Sequence, residues 1–116
     1  MRMWMVNPSI LCKKHLLGEH LETHMFLGSL KKKIKMNGYI ENNLLEPKKL
    51  KERHDELAIE MKKRGYNHTS DLKFEEKILE YLDEKVKNYI IDKKASLEEI
   101  LRRCNECRKR WETLKK

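Results

Sequence analysis

The stretch SILCKKHLLGEHLETHMFLGSLKKK, from Ser9 to Lys33, constrains this chain more than any other. It holds no proline, and its leucines, methionine and phenylalanine fall on several sides of a helical wheel. A helix so apolar in every direction must be wrapped by the rest of the molecule. Asn7-Pro8-Ser9 supplies a start, with Asn7 able to cap and Pro8 suited to the first helical position, while the cations Lys31, Lys32 and Lys33 suit a helix C-terminus.

The remaining punctuation is also helical. Pro47 opens PKKLKERHDELAIEMKKR, where Leu50, His54, Leu57 and Met61 recur at four-three-four spacing and Gly65 follows as a C-cap. A third helix is predicted from Leu72 to Ile91, with Ile78, Leu82, Val86 and Tyr89 facing inward. Ser96 and Glu99 form a capping box for a fourth, whose stripe is Leu97, Ile100, Leu101, Cys104, Trp111 and Leu114. MNGYIENNLLE and YNHTSD read as connecting loops. The expected fold class is all-α, a compact bundle of about four helices forming one domain over residues 1–116.

Lysine and arginine number 27 against 19 aspartates and glutamates, a net charge of +8. Such a surplus attracts polyanions, nucleic acid foremost. No stretch approaches the roughly 18–20 apolar residues of a membrane span, and the apolar cluster at the start is too short for a secretory signal. Three cysteines, an odd number, do not make a disulfide framework, and an intracellular, reducing setting is expected. Cys104-Asn105-Glu106-Cys107 is a C-x-x-C without a second pair, read here as core packing rather than a metal or redox site. His20 and His24 lie one turn apart, but the sequence places no third ligand, so no metal is expected. His54, on an apolar stripe, reads as a core histidine.

Along the first helix His15, Gly18, Glu19, Glu22, Phe26 and Ser29 share one face. Carboxylates are costly to bury unless paired, so this face is either the solvent side or the lining of a cleft. The chain's opening residues, MRMWMV, weigh toward the cleft. Their composition is wrong for a disordered tail and predicts a terminus tucked between helices. An α-amine has a reference pKa of about 7.7–8.0 against about 10.4 for lysine, so roughly a tenth of it is uncharged at neutral pH. An amine must be uncharged to attack carbon, which makes an anchored N-terminus a ready Schiff-base nucleophile.

Four features together resemble the pyrimidine-dimer glycosylases of the bacteriophage endonuclease V type. They are the free terminus followed by Arg2, HLLGEHLE with Glu19 and Glu22, FLGSLKK around Gly28, and RHDELAIEMKKRGYN from Arg53 to Asn67. The resemblance covers residues 1–68, leaving 69–116 as further C-terminal helices. It implies an all-α enzyme that binds lesion-bearing double-stranded DNA as a monomer, without metal or organic cofactor, and combines base removal with strand cleavage. The family's nucleophile falls on Met1, which the bulky Arg2 predicts is retained, and its essential carboxylate on Glu22. Arg2 and His15 match positions near the active site. Leu21 and Met25 stand where the phage member has arginines, which leaves His20 and His24 as replacement contacts. Further expected DNA or substrate contacts are Glu19, Lys13, Lys14, Lys31, Lys32, Lys33, Arg64 and Tyr66, with Arg108 and Arg110 on the last helix. The alternatives are a non-catalytic basic helical nucleic-acid binder and a module that pairs its C-terminal helix with a partner.

Overall fold

The computed structural model describes residues 1–67 and 70–115. Among them are six α-helices and no strand: α1 (Lys13–Lys31), α2 (Asn37–Glu41), α3 (Leu50–Lys63), α4 (Glu84–Lys87), α5 (Lys93–Arg103) and α6 (Asn105–Lys115). Short 3-10 turns lie at Pro8–Ile10, Pro47–Lys49 and Glu76–Leu79. The expected all-α class holds, but several boundaries move.

The first helix begins later than the Asn-Pro-Ser signal suggests. Asn7 caps only the 3-10 turn, accepting from the Ser9 N–H at 3.0 Å, and Cys12 caps α1 through its sulfur. The helix expected from Leu72 to Ile91 does not form; a 3-10 turn and the single turn of α4 take its place. The physical reason is packing. Leu72, Leu79, Leu82, Val86 and Ile91 all enter one core, and irregular backbone lets this segment wrap where a straight helix would offer only one stripe. The fourth predicted helix begins at Lys93, because Asp92 Oδ1 accepts from the Ala95 N–H at 3.1 Å. Ser96 is therefore inside the helix rather than capping it, and its buried hydroxyl donates to the Trp4 carbonyl. The MNGYIENNLLE loop contains α2. In the YNHTSD connector, His68 and Thr69 lie outside the described residues.

Gly65 does close α3 as its position predicts. At φ +83° it occupies the left-handed region, and Gly65 N–H to Lys62 O at 2.9 Å with Tyr66 N–H to Met61 O at 2.9 Å completes a Schellman ending.

Two apolar clusters sit at the two halves of α1. Phe26, Leu27 and Leu30 pack with Met3, Met36, Ile40, Leu45, Leu50 and the wrapping segment. Leu16 packs with Trp4, Val6, Ile10, Leu11, Leu57, Met61, Ile100 and Cys107. Between them on α1 are the buried polar residues Glu19, His20 and Thr23. The first residues of the chain serve both clusters, Met3 one and Trp4 with Val6 the other. Their backbone is held at each step. Met3 N–H donates to Leu44 O at 2.7 Å, Ser96 holds the Trp4 carbonyl, and Arg53 Nη1 donates to Val6 O at 2.7 Å. Between these anchors Met5 adopts φ +56°, a conformation that costs an L-residue about 1–2 kcal/mol and persists because its flanks are pinned.

Candidate active site at the start of the chain

Mid-way along α1, Glu22 is half-buried and turned toward the chain's first peptide bond. The Arg2 backbone N–H donates to Glu22 Oε2 at 3.3 Å. Burial pushes the Glu22 carboxyl above the ordinary glutamate value; the Arg2 N–H and the positive N-terminal amine act in the opposite sense. The terminal amine and this carboxylate thus share one electrostatic environment. Arg2 extends the other way. Its guanidinium lies 3.5 Å from the Trp4 ring centroid and pairs with Glu99 of α5 at 2.5 Å. Met1 itself is partly buried against the Met3 cluster. With its first peptide N–H on a half-buried carboxylate, the chain start brings its amine into the neighbourhood of a group able to move a proton or face a developing cation.

The other expected site residues scatter. Glu19 is 1% exposed and its carboxylate is taken by Arg53, Nε to Oε2 at 2.6 Å and Nη2 to Oε1 at 2.9 Å. It cannot touch DNA from there; it braces α1 against α3. Arg64 is likewise engaged within the fold, bonding Glu60 Oε2 at 2.8 Å and the Pro8 carbonyl at 3.1 Å. Tyr66 is partly buried against the Trp4 cluster, with the Lys13 ammonium 5.3 Å from its ring centroid. His15 lies on the same edge of α1 as Glu22 but two turns away. Its Nδ1 is 3.1 Å from Cys12 Sγ, and its ring meets the Trp4 ring edge-on at 5.8 Å. Burial, then the charges of Lys14, Arg103 and Arg2, hold its pKa below the ordinary histidine value.

His20 and His24 are each two residues from Glu22, about 200° around the helix. They sit on the opposite edge of α1, packed on His54 with ring centroids 4.7 and 5.0 Å from it. The three offer nitrogens close enough for a metal, but both His54 nitrogens are engaged, Nδ1 with Asp55 Oδ1 at 2.9 Å and Nε2 with Ser70 O at 3.1 Å. The geometry does not bring this cluster to Glu22.

Lys13 and Lys14 are exposed at one end of α1 and Lys31, Lys32 and Lys33 at the other, roughly 27 Å apart by helical rise. Between them Leu21 (60% exposed) and Met25 (47%) stand one turn apart beside Glu22. Arg108 and Arg110 are exposed on α6, where Arg110 Nε donates to Ser9 O at 3.0 Å. Trp111 packs against the Trp4 cluster, as its stripe position predicts. A cavity of about 490 Å³ lies elsewhere: Met5, Val6, Ile10, Leu97, Trp111 and Leu114 are among its lining residues, and Glu22 is not.

Sequence reasoning missed Ser96 and Glu99 as holders of the chain start. Both were visible only as a capping box, because their partners Trp4 and Arg2 are more than ninety residues away. Among the described residues no helix is long and apolar enough to cross a membrane. Comparison with curated proteins and with solved structures gives no match. A family model described as pyrimidine dimer DNA glycosylase matches residues 1–74.

Proposed function

The chain belongs to the pyrimidine dimer DNA glycosylase family, and from that premise we propose that it removes damaged pyrimidines from duplex DNA and then cuts the strand, using the Met1 α-amine as nucleophile and Glu22 as the essential carboxylate. The observation that carries this proposal is the contact between the first peptide and Glu22, Arg2 N–H to Oε2 at 3.3 Å.

In the proposed reaction the Met1 nitrogen attacks C1′ of the damaged nucleoside. The C1′–N bond breaks, and the base leaves with its electron pair and takes up a proton. Ionised Glu22 faces the positive charge that develops on the sugar and moves the protons needed for ring opening. Loss of the amine proton and opening of the C1′–O bond give an imine. The imine acidifies C2′; removal of a C2′ proton expels the 3′ phosphate by β-elimination. Water then releases the sugar fragment and restores the amine.

Reaching C1′ requires a nucleotide to be unstacked, at a cost of a few kcal/mol. The two lysine groups at the ends of α1 are suited to hold phosphates on either side, and the exposed Leu21 and Met25 to lie against the disturbed bases. Dimers, oxidised pyrimidines and abasic sites are the substrates to compare.

The test is borohydride trapping on oligonucleotides carrying each lesion. A covalent protein–DNA adduct is expected, mapping to Met1 and absent after N-terminal acetylation. Glu22→Gln should keep DNA binding and lose nicking. Salt-dependent binding with no adduct on any substrate, and no effect of Glu22→Gln, would instead make the protein a non-catalytic binder.

A further inference from the structure

We propose that Cys12, His15, Cys104 and Cys107 form a structural zinc site, with three cysteine sulfurs and the His15 Nδ1 as ligands. None of these residues takes part in the contact between the Arg2 N–H and Glu22, and the site stands independently of the proposed reaction.

Distances carry the inference. The four donor atoms all lie within 4.8 Å of one another. Cys12 Sγ is 3.9 Å from Cys104 Sγ, and His15 Nδ1 is 3.1 Å from Cys12 Sγ and 3.6 Å from Cys107 Sγ. A tetrahedral zinc with bonds of about 2.3 Å to sulfur and about 2.0–2.1 Å to nitrogen spaces its ligands about 3.8 Å (S to S) and about 3.6 Å (S to N) apart. The sulfur separation is nearly twice the roughly 2.05 Å of a disulfide, and a disulfide would leave one of the three cysteines over. Three thiolates and an imidazole at these spacings suit four-coordinate zinc and leave no open position for catalysis.

The backbone is shaped to this point. Cys12-x-x-His15 and Cys104-x-x-Cys107 share one spacing, and each pair spans the first turn of a helix, α1 and α6. The sequence from Ser96 to Trp111 contains neither glycine nor proline and reads as one helix. It nonetheless breaks at Cys104, whose φ −123° and ψ +109° are extended. That break separates α5 from α6 and turns both sulfurs of the pair inward. Backbone N–H groups already point at the sulfurs: Cys12 N to Cys107 Sγ at 3.2 Å, Cys107 N to Cys104 Sγ at 3.4 Å and His15 N to Cys12 Sγ at 3.5 Å. Such donors, with the positive ends of two helices, suit the net negative charge of zinc bound to three thiolates. Cys107 is buried, while Cys12, His15 and Cys104 are partly exposed, which gives an ion a way in. On binding, each thiol releases its proton to solvent.

The consequence is a staple. Cys104 and Cys107 lie beyond the family-matched residues 1–74, so zinc would fasten the C-terminal helices to the start of α1.

The test uses the full chain, reduced and stripped of metal with a chelator, titrated first with Co²⁺ and then with Zn²⁺ in the absence of DNA. One equivalent of Co²⁺ should give the strong visible bands of a tetrahedral site and a thiolate-to-cobalt charge-transfer band, both abolished by one equivalent of Zn²⁺. With Zn²⁺ bound, all three cysteines should resist iodoacetamide. The double variant Cys104→Ser/Cys107→Ser should lose the charge-transfer band; if it does not fold, the wild-type titration and alkylation decide alone. Weak octahedral bands, or alkylation unchanged by Zn²⁺, would overturn the site. Tetrahedral bands without charge transfer would do so too, by moving the ion to His20, His24 and His54.

Discussion

Removing one member of the Glu19–Arg53 pair should nearly unfold the protein, whereas removing both should not. Each side chain is about 1% exposed. Arg53 makes three short bonds, two to the Glu19 carboxylate and one from Nη1 to the Val6 carbonyl at 2.7 Å. Glu19→Leu leaves a buried guanidinium whose remaining acidic neighbour is the half-exposed Glu56 at 3.5 Å. Arg53→Leu leaves a buried carboxylate and a Val6 carbonyl stripped of this donor. Breaking a buried pair from one side costs about 3–5 kcal/mol, much of the roughly 5–15 kcal/mol that holds a domain of this size together. In the double variant both charges are gone, and the main loss is the Val6 donor, about 1–3 kcal/mol. The double variant should therefore be more stable than either single one, with a coupling of at least about 3 kcal/mol. Urea unfolding followed by far-ultraviolet circular dichroism measures all three against wild type. Additive single effects, or singles costing under about 1 kcal/mol as exposed ion pairs do, would show that the pair is not a brace between α1 and α3.

Acidification should act on Glu22 in two opposite ways. Burial raises its folded-state pKa above the ordinary glutamate value, and the proposed reaction needs it ionised, so nicking should fall on the acid side with a midpoint above that of an ordinary glutamate. At that site the folded state binds more protons than the unfolded one, so Glu22 contributes stability as pH falls; the urea midpoint of wild type relative to Glu22→Gln should rise as pH falls, opposite to the rate profile. Asn43 is a separate target. Its Oδ1 accepts from the Asp92 N–H and the Tyr89 hydroxyl, both at 2.8 Å, its Nδ2 donates to Asp92 O at 3.1 Å, and its φ is +61°. Asn43→Ala should cost about 2–4 kcal/mol from lost bonds and the left-handed backbone, and Asn43→Gly should cost less; thermal melts that rank the two the other way would contradict this.

What can be read from the chain alone obeys a physical division. α3 is legible because Leu50, Leu57 and Met61 repeat at a helical period and Gly65 ends it, all of which are local signals. The tucked terminus is legible from the bulk of Met3 and Trp4. The segment from Leu72 to Ile91 is not, because its backbone answers to a core built by α1 and not to its own periodicity. Glu19 and Glu22 look alike in sequence, two carboxylates nearly on one face. Only the far end of Arg53, thirty-four residues on, separates a buried brace from a half-open acid. Cys12-x-x-His15 carries a signal that is easily missed: its spacing matches Cys104-x-x-Cys107, but the two pairs lie at opposite ends of the chain and become neighbours only in the fold.

The placement of Glu22's partner depends on residues outside the family-matched segment. Of the holds on the first six residues, Leu44 and Arg53 lie within residues 1–74, whereas Ser96 on the Trp4 carbonyl and Glu99 on Arg2 belong to α5. Residues 1–74 alone would keep Glu22 on its helix but lose both α5 contacts, along with Ile100 and Cys107 from the cluster around Trp4. Met5 would then keep only the Leu44 and Arg53 anchors on either side, without the Ser96 hold on the Trp4 carbonyl, and the first peptide would be freer to leave the carboxylate. The division of labour is therefore between a helix that carries Glu22 and a C-terminal pair of helices that holds the first residues against it. In the proposed reaction the position of the nucleophile is then set by the few residues after it and by distant parts of the chain that the fold brings back to it.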